Sequence, residues 1–263
     1  MMLKEKVAVI YGAGGAIGGA VAQAFAREGA AVFLTGSHLP PVELVAKQIV
    51  ADGGSAEAAE VDALDEQAVD DHLRVVAEEA GSVDISFNAV GIHNAEILGT
   101  PLTDLDVDRF LLPVTGYVRS YFLTARLGAR RMVPKGSGVI MTVTATHARE
   151  GLPLVGGYGP AQAAKEALTR DLSVELAPHG IRVVGIRPQA MPETRTIRDA
   201  FEPRAKAIGM TWDQWLEVLA GRTHPRRLMS LDEMANVAAF MASDRASGMT
   251  GTTVNLTMGR LDD

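Results

Sequence analysis

The chain has 263 residues, 47% hydrophobic and 22% charged, with a formal net charge of −7, as expected of a globular protein with a sizeable core. An acidic balance without a dense Lys/Arg block argues against a nucleic-acid partner, and the absence of cysteine excludes disulfides and thiolate metal sites. The six His are scattered without metal-ligand spacing, and no apolar run approaches the roughly 18 residues of a membrane span, so neither a metal nor a membrane is expected.

Short apolar runs alternate with longer helix-period segments along the whole chain. Strands are expected at Val7–Tyr11, Ala31–Thr35, Ala56–Val61, Val83–Asn88, Val139–Thr144, Arg182–Arg187 and Thr253–Leu256. Helices are expected near Ile17–Glu28, Pro41–Asp52, Glu66–Glu79, Val107–Met132, Ala161–Leu176 and Leu231–Ser243. This alternation implies an α/β fold, a doubly wound parallel sheet with helices on both faces. No repeat or composition shift divides residues 1–263, so a single Rossmann-type domain is expected. The segment 194–227 breaks the rhythm as a charged helical insertion carrying Met210, Trp212, Trp215, Leu216 and Leu219. Insertions beyond the carboxyl ends of the strands can cover a ligand, so it is read as a substrate lid for an apolar molecule, with ordinary surface packing as the plain alternative. The opening residues enter a strand within six positions and show no signal-peptide core, which points to a soluble, cytoplasmic protein.

The first strand runs into Gly12-Ala-Gly14-Gly15-Ala16-Ile17-Gly18 and then a helix. Such a turn aims backbone N–H groups and the positive end of a helix dipole at a pyrophosphate. Gly12 permits the tight turn, Gly14 and Gly15 let backbone approach phosphate, and Ala16 and Gly18 let the helix pack closely. With Gly12-x-x-x-Ala16-Ile17-Gly18, the chain resembles the short-chain dehydrogenase/reductase family, whose Gly-x-x-x-Gly-x-Gly turn it carries with Ala in the middle. Asn88-Ala89-Val-Gly91 resembles that family's Asn-Asn-Ala-Gly motif. Leu172-x-x-Glu-Leu-Ala-Pro-His-Gly-Ile-Arg-Val183, Arg226-Arg-Leu, Glu233-Met-Ala, Ala242-Ser-Asp and Thr250-Gly251 extend the resemblance over nearly the whole chain.

The resemblance implies strand order 3-2-1-4-5-6-7, a nicotinamide cofactor, a small-molecule substrate, and a homotetramer or homodimer built through the fourth and fifth helices and the last strand. It places Asp62, with Ala63 beside it, at the adenine. It also places Pro188 and Thr194 near the nicotinamide amide, although Gln189 stands for the usual glycine and the threonine comes one position late. NAD-selective sites carry an acid at the end of the second strand, and here that position is Gly36. Ser37 and His38 can donate to a 2′-phosphate, so NADP(H) is favoured over NAD(H), although the turn has no Arg or Lys.

The family's reaction centre combines Asn, Ser, Tyr and Lys. Tyr158 fills the proton donor–acceptor position. The Ser position, 13 residues earlier, is Ala145, and the Lys position, four residues later, is Gln162. The Asn falls at Tyr117 or Gly116, with Pro113 disturbing the register. A phenol without a neighbouring ammonium titrates near 10, so Tyr158 is a poor base but a serviceable acid. Thr146 or His147 is expected to replace the lost hydroxyl, and Gln162 to bond ribose. Strand alternation turns Thr144 and Thr146 away from the Ala145 side unless the strand has ended. His93 and His147 either border the pocket or face water as loop histidines. Lys165, seven residues after Tyr158, lies on the same helical face, where its ordinary place is the solvated surface or, leaning toward the N-terminus, near Tyr158.

Three readings follow. The first is an oxidoreductase transferring hydride between NADP(H) and a carbonyl or alcohol. The second is a non-redox cyclase, isomerase, dehydratase or lyase on the same fold. The third is a cofactor-holding protein without turnover. The intact phosphate turn supports the first and third, and the missing Ser and Lys support the second and third.

Overall fold

Seven parallel strands pair in the order β3-β2-β1-β4-β5-β6-β7 in the computed structural model, which describes residues 1–92, 97–194, 197–198, 201–202, 205–206 and 209–262. They are β1 (Val7–Tyr11), β2 (Ala31–Gly36), β3 (Ser55–Glu60), β4 (Ile85–Asn88), β5 (Gly138–Val143), β6 (Ile181–Pro188) and β7 (Thr252–Leu256). The expected strands all form, within a residue or two of their expected limits. Strand order reverses between β1 and β4, where Tyr11 pairs with Asn88. That reversal opens a crevice above the carboxyl ends, the usual ligand position in such sheets.

Side chains alternate across the sheet and feed two cores. Ala8, Ile10, Val32 and Leu34 pack under α1 (Ala16–Arg27), α2 (Leu39–Ala51) and the last helix. Val7, Val9 and Tyr11 pack with Val69 and Leu73 of α3 (Glu66–Ala80) and with Tyr121 and Leu127 on the other face. Helix starts follow local chemistry: Asp65 accepts from Gln67 N–H and Ala68 N–H to begin α3, and Gly81 ends it in the left-handed region.

The expected continuous helix over Val107–Met132 is broken into α4 (Val107–Pro113), a π-helical turn (Val114–Val118) and α5 (Arg119–Met132). Pro113 removes an N–H from the helical ladder, and the wider turn accommodates the loss. α6 (Tyr158–Leu176) starts three residues earlier than expected, placing Tyr158 at its first position. Within residues 194–227, α7 (Trp212–Gly221) is opened by a reciprocal Thr211–Gln214 cap; beyond them, α8 (Leu231–Ala242) is opened by a Ser230–Glu233 cap. Among the described residues, no helix is long and apolar enough to cross a membrane.

Candidate active site

The glycine turn is built to hold backbone, not side chains. Gly12 has φ of +77°, and a Cβ there would stand 2.6 Å from the Ala89 carbonyl oxygen. A Cβ on Gly18 would stand 2.4 Å from the Gly12 oxygen, and one on Gly14 3.0 Å from Pro41. α1 begins after Gly15 without a side-chain cap and without an acid in its first turn. Its leading amides around Ala16 and Ile17 therefore face the exposed mouth of the crevice, a cradle that fits a phosphate. Asn88 is buried at the floor, where its Nδ2 donates to Thr124 Oγ1 at 3.1 Å and its Oδ1 has no protein partner among the described residues. Ala89 N–H is bonded to Tyr11 carbonyl, and Gly91 is exposed above it.

At the outer end of the crevice, Ser37 and His38 are both exposed, and Asp62 lines a surface cavity with Glu66 and Arg119. Asp62 Oδ1 accepts from Leu64 N–H at 2.9 Å, and Ala63 is buried beneath. One acid here escaped the reading of the linear sequence. Glu60, paired in register with Gly36, accepts from Leu39 N–H at 3.1 Å. Only the strand register, not a motif, reveals it.

The chemical end gathers three rings. The Tyr158 ring meets His147 edge-on with centroids 5.4 Å apart, and meets Tyr117 edge-on at 5.6 Å. Burial, reinforced by the Tyr117 phenol, pushes the Tyr158 hydroxyl well above the ordinary tyrosine range. Positions 113, 116 and 117 carry Pro, Gly and Tyr, so no carboxamide stands at the Asn position. Tyr117 was missed as a ring partner because the π-helical turn shifts the helix phase.

Strand β5 ends at Val143, Ala145 is extended, and a tight turn covers Thr146–Ala148. That turn packs on the start of α6, since a Cβ at Gly159 would lie 3.2 Å from the His147 carbonyl oxygen. Thr146 is buried in it. Thr144 is committed elsewhere, donating to Glu166 Oε1 at 3.1 Å. His93 lies outside the described residues. Gln162, one turn beyond Tyr158, is buried at 2% exposure.

Lys165 is not a surface residue. It is 1% exposed, donates to the Val143 carbonyl at 2.7 Å, and lies against the rings of Tyr117 and Tyr121 at 5.7 and 5.8 Å. Burial pulls its pKa down to about 7. Beside it, buried Glu166 receives Arg187 Nε at 2.7 Å and Nη2 at 3.0 Å, and Arg149 Nε at 3.2 Å. This network ties β5, β6, α6 and the Thr146 turn together beneath the site.

After β6, Pro188 and Gln189 are buried. Thr194 donates to the Met191 carbonyl at 2.8 Å, closing its own loop. Arg260 bridges from the C-terminal segment to Glu150 at 2.7 Å, bracing the loop that follows the Thr146 turn. The same segment pins the end of the insertion, because Met258 carbonyl accepts from His224 N–H at 2.9 Å.

A family model described as enoyl-(acyl carrier protein) reductase matches residues 12–260. The chain is 29% identical over 258 residues to the oxidoreductase YxjF of Bacillus subtilis, covering 98% of each. Among solved structures, NAD⁺-bound xylitol dehydrogenase is similar with a TM-score of 0.90 and 28% identity, over 98% of this chain and 100% of that one. A 7α-hydroxysteroid dehydrogenase complexed with NADH and a 7-oxo bile acid is similar with a TM-score of 0.86 and 29% identity, over 99% and 96% of the two chains. With the expected strand order and phosphate turn both in place, this chain belongs to the short-chain dehydrogenase/reductase family.

Proposed function

We propose that this protein reduces the carbonyl group of a small apolar molecule, with Tyr158 as the proton donor. One observation carries the reading: the Tyr158 ring is flanked edge-on by Tyr117 and His147, with an uncharged glutamine at position 162, and burial together with the Tyr117 phenol pushes its pKa upward. A neutral phenol cannot take a proton from an alcohol efficiently, but it can give one to an oxygen that is gaining negative charge. The reverse reaction, alcohol oxidation, is correspondingly disfavoured.

The cofactor in this reading is a nicotinamide dinucleotide held at the Gly12–Gly18 turn, with Asp62 and Ala63 at the adenosine end and Pro188 and Thr194 near the nicotinamide. When bound in reduced form, it supplies the hydride for the carbonyl carbon. Gln162 offers its carboxamide to ribose hydroxyls without adding charge. His147, whose ring lies against Tyr158, and Thr146, buried in the same turn after β5, orient the substrate oxygen in this reading. The open Gly36 position leaves NADP(H) sterically admissible, as the sequence favours, while the Glu60 carboxylate weighs against its 2′-phosphate. Similar proteins crystallised with NAD⁺ and NADH support a dinucleotide site in general.

The insertion acts in this reading as a lid for the apolar substrate. Trp215 stacks on Phe201 with centroids 5.8 Å apart, and the segment after α7 is pinned to the C-terminal residues that brace the site loop. Exposed Leu111 and Leu112 on α4 and Phe122 on α5 suit burial by a second copy in a homodimer or homotetramer. The reading further takes the protein to work as a soluble, cytoplasmic enzyme.

The test is a panel of aldehydes and ketones of increasing apolar bulk, incubated with NADH or NADPH, with the alcohol product identified by mass spectrometry. Carbonyl-dependent alcohol formation supports the reading. Tight dinucleotide binding with no turnover on any carbonyl favours a cofactor-holding protein, and absence of dinucleotide binding favours a non-redox reaction.

A further inference from the structure

Dinucleotide sites in α/β sheets place a carboxylate at the end of the second strand, where it accepts hydrogen bonds from the adenosine ribose hydroxyls. Here that position is Gly36, and it has little room for a side chain, because a Cβ would stand 2.9 Å from Cγ2 of Val42 on α2. The carboxylate arrives from the neighbouring strand instead. β2 and β3 pair in the register Gly36↔Glu60, so the last residue of β3 lies beside the position that lacks its acid. Glu60 Oε2 accepts from the N–H of Leu39, the first residue of the 13-residue helix α2. The side chain is thus held at the positive end of a helix dipole and aligned with the turn at Gly36–His38.

We propose that Glu60 stands in for the acid missing at position 36 and makes the site selective for NAD(H) over NADP(H). The inference rests on the reading of this chain as dinucleotide-dependent. Three features act in the same direction. The amide that a 2′-phosphate would draw on at the start of α2 is already taken by Glu60. The carboxylate charge repels a phosphate placed at the same turn, and no Lys or Arg at positions 36–39 offsets it. Ribose hydroxyls, by contrast, find in Glu60 the acceptor that the second strand does not supply. Gly36 taken alone argues for the opposite choice, since nothing at that position repels a phosphate; the strand register supplies the opposing charge. Charges of this kind a few ångströms apart at a solvated surface are worth about tenfold in affinity.

The experiment is a set of fluorescence titrations of the full-length protein with NADH and NADPH, for the native chain and for Glu60→Gln and Glu60→Ala. Glu60 is exposed, and the ratio of the two dissociation constants within each variant cancels any general loss of binding. NADH is expected to bind about tenfold tighter than NADPH to the native chain. Glu60→Gln is expected to bring the two constants within about threefold of each other, chiefly by tightening NADPH. NADPH binding as tightly as NADH to the native chain, or a ratio unmoved by either variant, overturns the inference and leaves the dinucleotide reading intact. Binding of neither dinucleotide overturns both.

Discussion

The ring of Tyr117 meets that of Tyr158 edge-on, with centroids 5.6 Å apart and planes inclined at 73°. This contact occupies the flank of Tyr158 and, together with burial, pushes the pKa of its phenol upward. Four residues after Tyr158 stands Gln162, so no ammonium at that position favours phenolate. Lys165, seven residues after Tyr158 on α6, is engaged by the Val143 carbonyl and lies against the Tyr117 ring.

The first consequence is a pH profile. A general acid works while protonated, and the Tyr158 pKa is raised, so carbonyl reduction should show no alkaline decline attributable to this residue below about pH 10, the value of a free tyrosine. Tyr117→Phe removes the phenol that adds to the upward shift and should move the alkaline limb down. Steady-state rates against pH check this, and an alkaline limb near neutrality would contradict it.

A second prediction concerns the residue before the tyrosine. A Cβ on Gly157 would stand 2.1 Å from the carbonyl oxygen of Phe110, a backbone atom that cannot yield locally. Gly157→Ala should therefore displace Tyr158, lowering kcat by at least about tenfold and stability by roughly 1–3 kcal/mol. Urea unfolding and turnover assays read the two effects separately, with dinucleotide affinity expected to stay near native.

Lys165 makes stability depend on pH with a definite sign. Unfolded, its ammonium holds its proton to about pH 10.4. Folded, the pKa is about 7, so between these values the unfolded chain binds the extra proton and this group makes stability rise with pH. Below pH 7 both states are protonated and the burial cost is fully present. Lys165→Met should raise the melting temperature near neutrality, by a few kcal/mol of stability at most, with the advantage shrinking toward pH 10. Thermal melts of both proteins across that range check the sign.

Glu166 anchors the buried charges under the site. Glu166→Gln leaves Arg187, itself 2% exposed, facing a neutral partner. Breaking a buried pair from one side costs about 3–5 kcal/mol, so a large fall in the urea midpoint is expected. Pairing Glu166→Gln with Arg187→Met should recover much of that loss.

How much was legible in the sequence follows from where each signal resides. The strands and the Gly12–Gly18 turn announce themselves through local pattern, because apolar strands buried on both faces and a glycine-demanding turn leave few alternatives, whereas Tyr158 is singled out only by the family resemblance. Glu60 was not legible, since its relation to Gly36 exists only across two strands. Tyr117 was hidden by Pro113, which breaks the helical period on which face assignments rely. Lys165 defied its residue type, buried between two tyrosine rings that its position on the helix alone does not disclose. Thr144 and Thr146 part company because the strand ends at Val143: Thr144 donates to Glu166 on α6, while Thr146 is buried in the turn that follows.

The central claim is that Tyr158 acts as a neutral acid in carbonyl reduction. Its most direct test is carbonyl-dependent oxidation of the reduced dinucleotide by the native chain and by Tyr158→Phe, with dinucleotide affinity measured alongside. The account predicts a fall of at least about a hundredfold in kcat with affinity within about twofold of native. Reduction that persists in Tyr158→Phe at a comparable rate would contradict it.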